Sequence, residues 1–418
     1  MKTLLSRGIN GPRPLFVRRR ITLSLLIVGA ALVLLAGRSA SSPAIPPKVQ
    51  NARDEDRTSN WRQAAFGPAH TGFNNVESVL NRSNVKSLKE VWAVPVVTTS
   101  TLYSSPVAAN GRVFIGGGVG LQAHLHALDA ATGVVLWDTP VEGEFLDSAP
   151  AVRQGLVFTH SDFSTLTAYD AKTGAIVWTS NVNQDLASPT LKNGTLYAGS
   201  FDGTLNALDA ETGAVLWSTA GNCCIEGQAP TVDGDKVFQI RTDGTLTAYD
   251  ARDGTQLWTT NAFSFGLAAS GGVLFLNIDG ATVALDEITG TQLWSQALTG
   301  GGDTLVAVAN GLIFVTTSSL FALDAATGAV VWSVPRVSSA AGPAVANGVV
   351  YASSLNGRWL AFDERDGSVL WSKTIASGCF GGCIQTTPIV ANGTLYLAGP
   401  DSYVHAFRPS SLGNTATR

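Results

Sequence analysis

The sequence predicts an all-β fold, an eight-bladed propeller of four-stranded antiparallel blades, on three observations. The first is a repeat. Ala127 to Trp137 reads ALDAATGVVLW, and the stretch returns ending at Trp178, Trp217, Trp258, Trp294, Trp332 and Trp371, at steps of 41, 39, 41, 36, 38 and 39 residues. A period of about forty with strand-like content marks a radial array of blades. The second is punctuation. Asn-Gly recurs at 110–111, 193–194, 310–311, 347–348 and 392–393, and this dipeptide supplies the two positive-φ residues of a tight hairpin. The third is an offset at the chain ends. Trp92 ends a repeat that lacks its ALD-TG half, while the last repeat stops at Phe407 without a tryptophan strand. The Trp92 strand therefore belongs beside the Phe407 strand in the final blade. Such closure removes free sheet edges that would template aggregation.

The 418-residue chain is 45% apolar and only 14% charged, with 44 glycines, which suits many short strands and tight turns. Its charge is unevenly placed. Residues 1–20 hold six basic groups and no acid, and the rest carries 21 basic and 31 acidic residues, a net charge of −10. An acidic body lacks the cationic face that a phosphate backbone demands, which argues against nucleic acid as a partner.

In chain order, the basic segment 1–20 reads as cytoplasmic. Residues 21–37, ITLSLLIVGAALVLLAG, follow Arg18, Arg19 and Arg20. Basic residues ahead of an apolar run hold the N-terminus inside and send the rest outward. Seventeen residues is short for a spanning helix and long for a signal peptide core. The expectation is an uncleaved membrane anchor with the propeller outside the cytoplasm. The alternative is a cleaved signal, leaving a secreted or periplasmic protein. A cleavage site near Ser39 to Ser41 is poor, the Arg19-Arg20 pair matches a twin-arginine signal only weakly, and no cysteine follows the run for lipoprotein attachment. Residues 38–60 form a Pro-rich linker with no core to join. Asn84 is expected to cap a short helix in NVKSLKE. The propeller itself is expected over 61–408 as a monomer, with 409–418 as a tail.

Within a blade, Gln154-Gly155, Asp233-Gly234 and Gly271-Gly272 take the place of Asn-Gly in the first hairpin. Asp-Gly or Asn-Gly marks the second hairpin at 202–203, 243–244, 279–280 and 356–357. The third turn is the repeat motif. Asp129 can bond the amides ahead of it, and Gly133 takes the left-handed position that ends the turn. The tryptophan strands, from Trp92 to Trp371, place a large ring where it can cover the junction between blades.

The pattern AxDAxTGxxxW at this period resembles the pyrroloquinoline quinone (PQQ) repeat of quinoprotein dehydrogenases and their relatives, over residues 61–408. The lead-in from Trp61 through NVESVLNRSNVKSLKEVW is similar to the N-terminal edge of those enzymes' catalytic domain. The resemblance implies an eight-bladed propeller. It also spans non-catalytic members, such as the lipoprotein of the bacterial outer-membrane barrel assembly machinery, so fold alone does not choose an activity.

Chemistry-bearing residues collect in the loops between blades. Cys223 and Cys224 are adjacent in the loop before the fourth inner strand, and Cys379 and Cys383 lie in the loop before the eighth. All four are expected on one face. An even cysteine count outside the cytoplasm reads as disulfides, with Cys379 and Cys383 closing a small loop. For Cys223 and Cys224 the resemblance implies a vicinal disulfide lying over PQQ; the other reading is a loop staple or a pairing across the channel with Cys379 and Cys383, which opposite blades make geometrically difficult. In the dehydrogenases an arginine follows that pair; GNCCIEGQAP has none, and here the pair falls later in the propeller. PQQ chemistry would also need calcium and an aspartate base. Asp147, Asp185, Glu226 and Asp303 are the candidate bases, and Glu144 and Glu226 the candidate metal ligands, against the plainer reading of a solvated acidic rim. His126 and His405 share one repeat position in neighbouring blades. They read as two metal ligands or as occupants of a polar slot, and Thr167, Asn206 and Thr247 at the same position favour the slot. Asn81-Arg82-Ser83 fits a glycosylation sequon.

The expected function is that of a membrane-anchored, extracytoplasmic binding or scaffold module with a protein or polymer ligand on the loop face. The alternative is a PQQ-dependent dehydrogenase oxidising an alcohol or hydroxylated polymer.

Overall fold

The computed structural model describes residues 59–96, 104–119, 122–142, 146, 148–160, 165–182, 187–200, 202–221, 229–241, 243–262, 264, 266–278, 280–300, 304–337, 341–354, 356–375, 386–399 and 401–410. The segment 21–37 lies outside them, so the anchor does too. Among the described residues no helix is long and apolar enough to cross a membrane.

Eight antiparallel sheets of four consecutive positions make the eight blades. Blade 1 is β3 (Val107–Ala109), β4 (Arg112–Val119), β5 (Gln122–Asp129) and β6 (Val135–Pro140). Blades 2 to 7 repeat that order through β7 to β30, ending at Thr374. Blade 8 joins β31 (Ile389–Ala391), β32 (Thr394–Ala398) and β33 (Tyr403–Pro409) to β2 (Leu88–Pro95) from the other end of the chain. Trp92 pairs with Ala406 as Trp137 pairs with Ala127, in the same register and beside the same bulge. The closure expected from the offset at the chain ends is therefore present. The first and third turns of each blade emerge on one face, called here the turn face. The second hairpins and the connections between blades emerge on the opposite, loop face.

The turn chemistry follows the dipeptides with one shift. Asn110, Gln154, Asn193, Asn310, Asn347 and Asn392 all have φ between 46° and 52°, each followed by a positive-φ glycine. In blade 4 Asp233 pairs with Lys236 inside the ladder. The turn residues there are Gly234 and Asp235, one place later than the sequence suggested. Asp235 follows Gly234, so the positive φ falls on the first turn residue rather than the second.

Each motif turn serves two blades. Asp129 Oδ1 accepts the amides of Ala131 and Thr132 and the Thr132 hydroxyl, and these donors hold its carboxyl below the usual range against the opposing effect of burial. Gly133, at φ 76°, lies under the Trp92 ring, where an added Cβ would sit 2.8 Å from ring carbon. The same glycine–tryptophan contact repeats from Trp137–Gly174 to Trp332–Gly367. Every one of these indoles also donates its N–H to a carbonyl of the next blade, at 2.9–3.2 Å. Trp371 has no motif turn to meet in blade 8 and packs edge-on against Phe407 at 5.3 Å.

Two features were not expected from the sequence. Residues Val85–Ser87 form only a single 3-10 turn, and Asn84 makes no side-chain cap. Its Oδ1 instead accepts the Asn81 amide, because strand β2 begins at Leu88 and leaves no helix to cap. The other is a fifth strand, β1 (Phe73–Asn74), parallel to β27 (Ala344–Ala346) of blade 7.

Candidate functional site

The lead-in, rather than a repeat, shapes the channel. Residues 61–74 form a strap across the turn face that bonds the same inner-strand position in every blade. Trp61 exchanges two backbone bonds with Ala108, and Arg62 O accepts Val152 N. The Gln63 amide clamps Leu191 N and O at 2.7 and 3.2 Å. Pro68, Ala69, Thr71 and Gly72 carbonyls accept from Val232, Ala269, Val308 and Val345. Asn74 Nδ2 completes the circuit at Val390 O, 2.7 Å. Ala65, Phe66 and His70 hold positive φ within this tight path, a conformation that costs about 1–2 kcal/mol for each non-glycine residue. The ring of bonds to inner-strand groups, which would otherwise be buried without partners, offsets it.

His70 sits at the middle of the strap, fully buried. Thr231 Oγ1 donates to Leu267 O at 3.0 Å, so it accepts from His70 Nδ1–H at 3.1 Å. The other nitrogen, Nε2, then accepts from Thr190 Oγ1, also at 3.1 Å. This fixes the neutral tautomer, and burial lowers the imidazole to about 4.

Cys223, Cys224, Cys379 and Cys383 lie outside the described residues, as do Glu144, Asp147, Asp185, Glu226 and Asp303. Among the described residues, the hydroxyls opening the inner strands are turned inward. Thr304 Oγ1 donates to Thr316 O at 2.6 Å and Thr386 Oγ1 to Ala398 O at 2.8 Å. His160 is buried with neither ring nitrogen partnered, and burial lowers it to about 3. Arg241, also buried, reaches the Tyr249 hydroxyl at 2.7 Å and the Gly203 carbonyl at 3.4 Å, while its Nε has no partner. Gly221 packs against the same 202–204 turn. That places a cation beside the start of the loop holding Cys223 and Cys224. The sequence did hold a signal for it: Ser200, Ile278, Thr317 and Ser354 fill the same repeat slot without charge.

His126 and His405 are not brought together as a metal pair. His126 Nδ1 lies 3.5 Å from Asp138, which also takes His124 Nδ1 at 2.6 Å. Burial lowers the His126 imidazole, with Asp138 opposing. Thr167–Thr179, Asn206–Ser218 and Thr247–Thr259 make the matching cross-strand pairs at 3.3, 2.7 and 3.1 Å. In blade 8 the cross-strand residue is Ala93, so His405 turns to Asp401 at 3.0 Å and Glu90 at 3.6 Å. The polar slot is the reading that the geometry supports.

Among the described residues no three His, Cys, Asp or Glu side chains converge as a metal site. On the described part of the loop face Arg241 and His160 are both buried, and no set of carboxylates gathers into a calcium cage.

A closed ring of eight four-stranded blades, sealed by tryptophan–glycine contacts, defines a PQQ-repeat propeller. The chain belongs to that family: the family model described as outer membrane protein assembly factor BamB matches residues 76–189, 163–276 and 279–413. It is similar to BamB of Yersinia pestis, 39% identical over 85 residues, 20% of this chain and 21% of that protein. It is similar also to the dehydrogenase subunit of the quinone alcohol dehydrogenase of Komagataeibacter europaeus, 28% identical over 137 residues, 30% of this chain and 18% of that protein. The matches therefore span about a fifth of those relatives. Among solved structures, the quinohemoprotein alcohol dehydrogenase of Comamonas testosteroni superposes with a TM-score of 0.69 at 15% identity, covering 85% of this chain and 81% of that one. At that identity the likeness speaks to the fold.

Proposed function

We propose that the protein is a membrane-tethered, extracytoplasmic propeller that presents its loop face as a binding or scaffold surface for a protein or polymer. The observation that carries this reading is the use already made of the motif residues. Asp, Gly and Trp of each repeat are spent on turns and blade junctions, and the strap occupies the axis at the turn face. Neither use draws on the loop face. Ser59, where the described chain starts, bonds Asn392 in the first turn of blade 8. The likeness to an outer-membrane assembly factor supports a protein partner.

A second reading, a PQQ-dependent dehydrogenase acting on an alcohol, is favoured by the sequence likeness to quinone alcohol dehydrogenases. One experiment separates the two. The purified full chain is mixed with PQQ and calcium, and quinone absorbance and alcohol-dependent dye reduction are followed. The scaffold reading expects no saturable PQQ binding; saturable binding with turnover replaces it with the enzyme. Alkaline carbonate extraction of membranes tests the tether, which is wrong if the protein is released.

A further inference from the structure

The strap divides the turn face into two adjoining clefts of different character. One, of about 390 Å³ over blades 5 and 6, is lined by Phe66 and Phe73 together with Thr71, Asn75, Ser270 and Asn310, and has no charged residue in its wall. The other, of about 360 Å³ over blades 2 and 3, is lined by Arg62, Arg153 and Lys192 and has no Asp or Glu in its wall. Phe66 and Asn75 belong to both walls, so the two clefts meet.

The cations are held in place rather than splayed into solvent. Arg153 reaches toward the Asn193–Gly194 turn of the next blade, with its Nε buried and unpartnered. Lys192 Nζ donates to Gly234 O at 2.8 Å, and burial depresses its pKa against the pull of Asp233, Glu287 and Asp235. Neither Arg153 nor Lys192 has a carboxylate within ion-pair distance among the described residues. A cation with no carboxylate paired to it is open to one from a ligand, and carboxylates are the groups that a guanidinium fork matches in geometry. The repeat does not require this charge: the positions equivalent to Arg153 and Lys192 in blades 5 to 8 are Ser270, Ala309, Ala346 and Ala391.

We propose that the turn face binds an extended peptide with an acidic half in the Arg153–Lys192 cleft and an apolar half in the phenylalanine cleft. The amides of Asn75 and Asn193 stand where they can pair with its backbone. This site is on the face opposite the one discussed under Proposed function, and either can fail without the other.

The test uses the full chain and a fluorescein-labelled peptide of about ten residues, three glutamates followed by leucine and phenylalanine, in an anisotropy titration. A control peptide carries glutamine for glutamate. Saturable binding is expected, weakened at least roughly tenfold in the Arg153→Gln/Lys192→Gln protein and for the glutamine peptide, and weakened by raising salt from about 50 to about 500 mM. Asn193→Asp, which adds a negative charge beside both cations, is expected to weaken binding as well. Equal affinity for both peptides, or for wild type and both variants, overturns the proposal. So does inorganic phosphate competing as well as the acidic peptide, which would leave a simple anion site. Binding that appears only after Asp54→Asn/Glu55→Gln/Asp56→Asn also overturns it, because the occupant would then be the chain's own acidic run.

Discussion

At the residue scale the most informative side chain is His70. The sequence offers no reason to single it out, since one histidine in a polar lead-in carries no periodicity. Its environment does. Both nitrogens are engaged in the neutral form by Thr190 and Thr231, and burial holds the imidazole at about 4. A histidine with a lowered folded pKa contributes its stability above the unfolded value of 6.5. That contribution is lost as pH falls from about 6.5 toward 4, because the unfolded chain takes up the proton first. A shift of this size is worth roughly 3 kcal/mol in full, and about 2 kcal/mol of it is gone by pH 5. His70→Gln is therefore expected to flatten the fall in Tm between pH 7 and pH 5 while lowering Tm at pH 7. His160, at about 3, supplies a second acid-sensitive term, so the slope should shrink rather than vanish. An unchanged slope would place His70 outside the buried site. The cysteines and rim acids were legible as candidates, yet their roles depend on loops between blades, where no repeat constrains the geometry. The tryptophans were legible in position and in task, because seven of the eight, Trp92 to Trp332, each meet the glycine of the following motif turn.

At the element scale, the outer strand is where motif and packing meet. Trp217 is half-buried, stacks obliquely on Tyr197 at 6.0 Å, covers Gly254 and donates to Ala251 O at 3.1 Å. Removing the ring leaves a gap between blades 3 and 4. Trp217→Ala is expected to cost about 3 kcal/mol, the low end for a large aromatic because part of the ring is already solvated. Trp217→Phe should cost less, since Ala251 O keeps the Tyr197 hydroxyl at 3.3 Å as a donor and no orphaned acceptor results. Trp371 meets no motif glycine at the equivalent junction and packs edge-on against Phe407, so Trp371→Ala should cost less than Trp217→Ala in urea titrations. Equal costs would mean that the glycine and carbonyl contacts add little beyond ring burial. The blade 4 turn shows why dipeptides read register imperfectly. Asp233-Gly234 matches the pattern, yet Gly234-Asp235 makes the turn, because the ladder is set by alternate side chains facing the core and a one-residue slip would reverse them.

At the scale of the whole molecule, an open array of repeats would unfold piecemeal, since each unit contacts only its neighbours. This ring is held differently. Strand β2 enters from the N-terminal side to complete blade 8, and the strap makes a hydrogen bond to each of the eight inner strands. Opening any junction strains the strap, so separation of one blade is coupled to all the others. A single cooperative transition follows, with a urea m-value proportional to the surface of the entire propeller. The strap is the element that enforces this, and it can be weakened without touching a blade. Gln63→Ala with Asn74→Ala removes the two side-chain contacts to blades 3 and 8, each of them buried, and leaves Leu191 and Val390 backbone groups unpaired. The combined loss is expected to be about 2–5 kcal/mol. The more diagnostic readout is the shape of the transition. With the strap loosened, intrinsic tryptophan fluorescence and far-ultraviolet circular dichroism should cease to coincide along the urea axis, because the first and last blades can part before the rest. Coincident transitions with an unchanged m-value in the double variant would show that the β2 strand closes the ring by itself.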